Sequence, residues 1–318
     1  MSSLDVKPPL APPPTPTKNR RKRGKAPGEE RSGGWFTKIT LLLVIALWLL
    51  PTIGLLVTSL RDPLSASRSG WWTVFTGEGT LQLSNYSDVL QSNAGGSTLA
   101  EAFVNSVVVA VPATLIPILI AAFAAYAFSW MDFPGREPLF ILFVALLVVP
   151  LQVAFIPIIQ LQGQIDGLLP GNFQIQGSFL AIWLAHAGFG MPLAVYLLRN
   201  FIGALPKEII ESAKVDGAGH FQTFWRLIIP LSVPALAAFA IFQFLWTWND
   251  FLVALILLDS ASSGQVATTY LAQLQGTFGE RLHLLTAGAF ITMIVPLIVF
   301  FSLQRYFVRG LTAGSVKG

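Results

Sequence analysis

The sequence predicts an all-α polytopic membrane protein, with six transmembrane helices and a cytoplasmic helix-turn-helix insert between the fourth and fifth. Three observations carry this. Hydrophobic residues make up 53% of the 318 and charged residues only 11%, against about 25% charged in an ordinary soluble domain. Six apolar runs each come close to the ~20 residues needed to cross the hydrocarbon core. When these runs are threaded alternately, seventeen of the twenty Lys and Arg fall on one side, and an excess of that kind marks the cytoplasm.

The elements follow in order. Residues 1–34, with PPLAPPPTPTKNRRKRGKAPGEERSGG, hold almost nothing that could form a core and are expected to be a disordered, basic, cytoplasmic tail. The tail does not resemble a cleavable signal peptide, because the apolar run behind it is too long for one. Its block Arg20 to Lys25 either sets topology and solubility or touches anionic headgroups. Residues 35–318 form the membrane domain, with spans expected at 36–58, 102–130, 139–161, 178–199, 233–257 and 285–304. The second holds Pro112 and Pro117, so a tilt or kink is expected there. Its run AAFAAYA invites close approach by a neighbouring helix. An even number of spans puts both termini in the cytoplasm and makes the chain a multi-pass protein of the cell membrane.

Composition excludes several classes. The chain has no cysteine, which removes disulfide frameworks, thiolate nucleophiles and Cys-ligated zinc. Its three histidines, His186, His220 and His283, do not lie at metal-ligand spacing, so no metal or other cofactor is expected in this chain. The pI near 9.5 does not argue for nucleic acid, because the basic residues cluster at the chain ends and in loops.

The insert contains IIESAKVDGAGHFQTFWRLIIPL, Ile209 to Leu231. Pro206 suits the first position of a short helix that runs to Val215, with Ile209, Ile210 and Ala213 on one side. Asp216-Gly217 signals a sharp end. A second helix is expected from about Gly219 to Ile229. Phe221, Phe224, Trp225 and Ile228 lie at i, i+3, i+4 and i+7, forming one apolar stripe, and Pro230 and Pro234 close it. An amphipathic helix pair of this kind serves as an interfacial element on lipid, as a cap on the bundle, or as a docking knob for a soluble partner. The pattern alone leaves all three open.

Glu211-Ser212-Ala213, then Asp216-Gly217-Ala218, Phe224 and Ile229-Pro230-Leu231, resemble the EAA loop of ABC importer permeases, here about 202–231, with Ser212 in place of the usual second Ala. The stretch ALPKEIIESAKVDGA looks like the sugar-importer version. Phe103-x-Asn105-Ser106 before the second span, Phe133-Pro134-Gly135-Arg136 after it, Trp248-Asn249-Asp250-Phe251 and the ending QRYFVRGLTAGSVKG all look like the second permease of the maltose-transporter group. This resemblance covers about 36–318.

It implies an ABC importer permease fold and partners: a homologous companion permease, two ATPase subunits, an extracytoplasmic sugar-binding protein, a carbohydrate substrate and the lipid bilayer, with no nucleic acid. The substrate it suggests is an α-glucoside or another oligosaccharide. The alternative is a different small solute, a monosaccharide or polyol. ATP and Mg would sit on the ATPase, and no G-x-x-x-x-G-K-[ST] is present in this chain. Energy coupling would fall to Glu208, Glu211, Ser212, Ala213, Asp216, Gly217 and Ala218. Glu211 would meet an Arg on the ATPase or pair with Lys214 at i,i+3, Asp216 would meet the ATPase or cap the second helix, and Gly217 would make the bend.

Polar groups within spans point to a cavity or a partner helix. Those here are Asn105, Gln152, Gln160, His186, Gln243, Thr247, Asn249 and Asp250. Gln243, Thr247, Trp248, Asn249 and Asp250 of IFQFLWTWNDF combine hydrogen-bonding groups with aromatic faces and are the candidate translocation path. They also suit belt aromatics and a helix–helix contact. A self-contained secondary transporter would show inverted repeats and charged relays, and Asp250 is the only carboxylate well inside a span. A membrane enzyme would show a cluster of His, Asp or Glu, and none is evident.

Overall fold

The computed structural model describes residues 34–170, 173–259, 264–275 and 279–313, with side chains to 304. The tail expected to be disordered lies outside the described residues up to 33, as does the end of the chain from 314. Two units are separable, 1–50 and 51–318. In the first, the described residues open an apolar helix, α1, that runs Trp35–Leu60.

Beyond α1 the order is α2 (Pro63–Arg68), a 3-10 turn (Trp71–Thr76), α3 (Ser84–Gln91), a two-stranded hairpin of β1 (Asn93–Ala94) and β2 (Ser97–Thr98), and α4 (Leu99–Trp130). Asp62 caps α2 and also accepts from the Thr80 amide, at 3.0 and 2.9 Å. These backbone donors hold its carboxyl down to about 2. Arg61 is fully buried, with its two terminal guanidinium nitrogens donating to the Ser69 and Gly70 carbonyls and to the Ser69 and Thr73 hydroxyls. The hairpin turns on Gly95 and Gly96, both at positive φ, as a tight two-residue loop requires. Thr98 and Glu101 then form a capping box, so α4 starts three residues before the expected 102 and takes in Phe103, Asn105 and Ser106. It continues through Pro112 and Pro117.

α5 (Arg136–Leu146) and α6 (Leu151–Asp166) follow, then α7 (Phe179–Gly203). The expected third span, 139–161, is not a straight helix: α5 and α6 meet at 108°. The cause is Pro150, which disfavours helical backbone at Val149. Residues 147–149 tighten into i→i−3 bonds, and α6 restarts after the proline. The bend opens a groove of about 870 Å³ against α7 and the helix that follows the insert, whose described lining is apolar apart from the Gln162 amide and the Trp246 indole.

Then come α8 (Lys207–Val215), α9 (His220–Thr223), a π-turn (Phe224–Ile228), α10 (Ile229–Trp248), α11 (Leu252–Leu257), α12 (Ala267–Leu274) and α13 (Leu282–Ala313). Two expectations change here. The second insert helix is not a separate element, because 220–248 is one continuous helix. The Ile229 amide reaches back to the Phe224 carbonyl, and this i→i−5 turn makes room for the missing donor of Pro230. The fifth span stops at Trp248 instead of 257. The Asn249 side chain takes the Leu245 carbonyl at 2.7 Å, and the Asp250 carboxylate accepts from the Ala254 amide at 3.0 Å to start α11.

Among the described residues, five helices are long and apolar enough to cross a membrane, and a sixth crossing exists if α5 and α6 count as one. α4 and α7 pack most extensively. The small run contributes here, with Ala121, Ala122 and Ala125 buried beside Ala194, Val195 and Leu198.

Candidate functional site

The insert is built on the ends of α4 and α7. Trp130 donates its indole N–H to the Ile202 carbonyl at 3.0 Å, and Ser129 donates to that of Arg199 at 3.3 Å. Arg199 stands 4.0 Å over the Phe140 ring and 3.6 Å from Glu137. α7 therefore ends against a fixed wall. Three residues later α8 begins, with Pro206 at the N-cap, one position before the expected first turn.

α8 presents two faces. Ile210 and Ala213 are buried, while Glu208, Glu211, Ser212, Lys214 and Asp216 are exposed, as is Val215 at 88%. Ile210 belongs to the main core with Ile202, Leu198 and Ile228. Glu211 makes no ion pair with Lys214 or any other described residue. The helix ends in a Schellman turn: Gly217 at φ +79° donates to the Lys214 carbonyl and Ala218 donates to that of Ala213. Gly217 thus makes the bend. Asp216 is the C-cap of α8 and does not cap the next helix, whose N-cap is Gly219 without a side-chain bond.

The expected apolar stripe divides. Phe224 and Ile228 are 2% and 0% exposed in the main core, whereas Phe221 and Trp225 are 73% and 41% exposed. The widened π-turn changes the angular step between residues, so the 3.6 spacing no longer holds one face. Phe224 stacks on Phe123 of α4 with centroids 4.2 Å apart. The Tyr126 hydroxyl lies 2.9 Å from Nδ1 of His220. That link joins α4 to the start of α9, and no periodicity in the sequence signals it.

The candidate path residues come together at the end of α10. Gln243 is fully buried, its amide donating at 3.3 and 3.4 Å to the Ala113 and His186 carbonyls. It sits in a notch at Gly190, where a Cβ would meet Gln243 Oε1 at 2.6 Å. His186 Nε2 stands 3.8 Å from the Asp250 carboxylate. Trp248 is buried and donates to the Thr292 carbonyl at 3.2 Å. Asn249 is exposed. Gln243 Oε1, Thr247 Oγ1 and both His186 nitrogens have no hydrogen-bond partner among the described residues. Gln162 is a further buried amide with an unpartnered oxygen. Gln152 and Gln160 of the same helix, singled out from the sequence, are exposed; two residues apart on a helix, Gln160 and Gln162 face different ways. Asn105 bonds the Gln265 carbonyl at 3.0 Å. Among the described residues, no cluster of His, Asp or Glu suits a metal ion.

The binding-protein-dependent transport system inner membrane component family matches residues 113–313, which include the insert and the polar end of α10. The chain belongs to this family. The permease is 54% identical to the osmoprotective compounds uptake permease protein GgtD of Synechocystis sp., over 88% of this chain and 91% of that one. It is 42% identical to the alpha-glucoside transport system permease protein AglG of Rhizobium meliloti, over 89% and 97%. Its fold matches that of a bacterial ABC transporter involved in the import of the acidic polysaccharide alginate, with a TM-score of 0.62 at 17% identity, over 86% of the permease and 96% of that chain.

Proposed function

We propose that the permease forms half of the translocation path of an ATP-driven importer of glycosidic sugars, paired with a companion permease, fed by an extracytoplasmic sugar-binding protein and driven by two ATPase subunits that carry ATP and Mg. The observation that carries this reading is α8: a short helix rooted in the core through Ile210 and Ala213, with a charged outer face and a fixed turn. Such a knob transmits displacement through packed contacts. Glu208 and Glu211 would face the ATPase, with Ser212 beside them.

The substrate proposed is an α-glucoside or another oligosaccharide, in keeping with the name of the Rhizobium relative. A second reading, a small osmoprotective compound such as a polyol, draws on the more similar Synechocystis relative. Gln243, Thr247, Trp248, Asn249 and Asp250 are proposed to line the path when the helices separate; Gln243 and Thr247 support this, because their buried, unpartnered oxygens need some conformation that satisfies them. Uptake by the assembled importer in proteoliposomes is expected to be ATP-dependent and to be competed more than tenfold better by one of these two classes than by amino acids. Equal competition by unrelated solutes would remove the sugar reading.

The proposed topology has both termini and the insert in the cytoplasm. A reporter active only outside the cytoplasm is expected to be silent after Lys317 and active near Ser92. Activity after Lys317 would overturn this orientation.

A further inference from the structure

The exposed pair Phe221 and Trp225 needs a partner that the coupling role of α8 does not supply. Their rings stand edge to face with centroids 6.2 Å apart, and the next residue, Arg226, is exposed. Large aromatics with one wet flank beside a cation are the composition of a membrane–water boundary.

Helix lengths place this pair at that boundary. The continuous helix 220–248 has no charge between Arg226 and Asp250. That stretch, Leu227 to Asn249, spans about 34 Å at 1.5 Å per residue, against a hydrocarbon core of about 30 Å. Arg226 and Asp250 therefore fall at opposite edges. α4 gives the same ruler independently. Its aromatic contacts mark both ends of the helix 220–248: Phe103 meets Trp248 at 5.5 Å, and Phe123 meets Phe224 and Trp225 at 4.2 and 5.8 Å. Phe103 and Phe123 are about 30 Å apart along α4, one core thickness. Trp225 also continues the outer flank of α4, where Leu115, Leu119, Ile120 and Phe123 are all exposed and apolar enough to face hydrocarbon.

We propose that Phe221 and Trp225 are a membrane-interface anchor, seated in the headgroup layer of a phospholipid bilayer with Arg226 at the level of the phosphates. The anchor fixes the depth of α9 and the π-turn, and through the Schellman turn it sets how far α8 stands off the membrane. It does not depend on which solute is carried.

The chain has no cysteine, so single labels can be placed on the permease before assembly without background from its own sequence. Nitroxides at Phe221→Cys and Trp225→Cys, with Leu119→Cys as the core reference, would be read in the assembled importer in nanodiscs of phosphatidylcholine and phosphatidylglycerol, 3:1 by choice. Collision with oxygen and with a water-soluble nickel chelate gives depth. Labels at 221 and 225 are expected within about 5–10 Å of the phosphates, as for an interfacial apolar face, with both reagents accessible. The label at 119 should meet oxygen alone. Free nickel collision with little oxygen at 221 and 225 would place them in water, and suppression of both reagents would place them against a protein partner. Either outcome overturns the proposal. Phe221 is so exposed that its variant keeps the test valid if Trp225→Cys fails to assemble.

Discussion

Phe224→Ala is expected to cut the yield of folded permease several-fold when the permease is made alone, without any ATPase. The ring is 2% exposed, stacks on Phe123 and tilts against Tyr126 with centroids 5.6 Å apart. Truncating a buried aromatic to Ala costs about 3–5 kcal/mol, a large part of the 5–15 kcal/mol that typically holds a domain together. Phe221→Ala, three residues away on a 73% exposed ring, and Glu208→Ala on the outer face of α8 should leave the monodisperse chromatographic peak at wild-type height. If Phe224→Ala instead folds normally alone and loses only ATPase binding, the parts played by α8 and by the π-turn must be exchanged.

Gly217→Pro is expected to bring sugar uptake to background while leaving membrane insertion intact. The Schellman turn needs both the Gly217 N–H, bonded at 3.0 Å to the Lys214 carbonyl, and a φ of +79°. Proline supplies neither. Gly217→Ala is the graded control: nothing lies within 4 Å of a Cβ there, so its cost is the left-handed backbone alone, about 1–2 kcal/mol, and part of the uptake should survive. Glu211→Lys should also abolish uptake and loosen co-purification with the ATPase. Because Glu211 has no ion pair among the described residues, its loss disturbs little inside the permease, and a large effect points to the partner. Wild-type uptake and co-purification in both Gly217→Pro and Glu211→Lys would show that α8 does not dock.

Much of this architecture is legible from hydropathy, because a bilayer imposes the same length and polarity on every crossing helix. The ends of α4 and α7 and the turn at Gly217 lie close to where apolar runs, caps and glycine chemistry put them. The breaks were harder to read. Val149-Pro150 and Asn249-Asp250 sit inside runs whose mean hydropathy says span, and one proline or one side chain competing for a carbonyl outweighs that mean. The stripe from Phe221 to Ile228 failed for a different reason: it assumes 3.6 residues per turn, and a single widened turn moved Phe221 and Trp225 off the face that Phe224 and Ile228 keep. In the candidate path, residue type was readable but partners were not. Nothing in the sequence near His186 or Gln243 announces that they meet across α7 and α10, since helix packing brings together residues 57 apart.

The unbroken helix from His220 to Trp248 has a geometric consequence. Twenty-nine residues make a rod about 43 Å long, its helical backbone unbroken through the π-turn and Pro234 from the part beside α8 to the part beside Asp250. If such a rod pivots near its middle, a tilt of about 5° carries each end about 2 Å, in opposite directions. A push on one side of the bilayer then reappears on the other with its sign reversed, so that what closes below opens above.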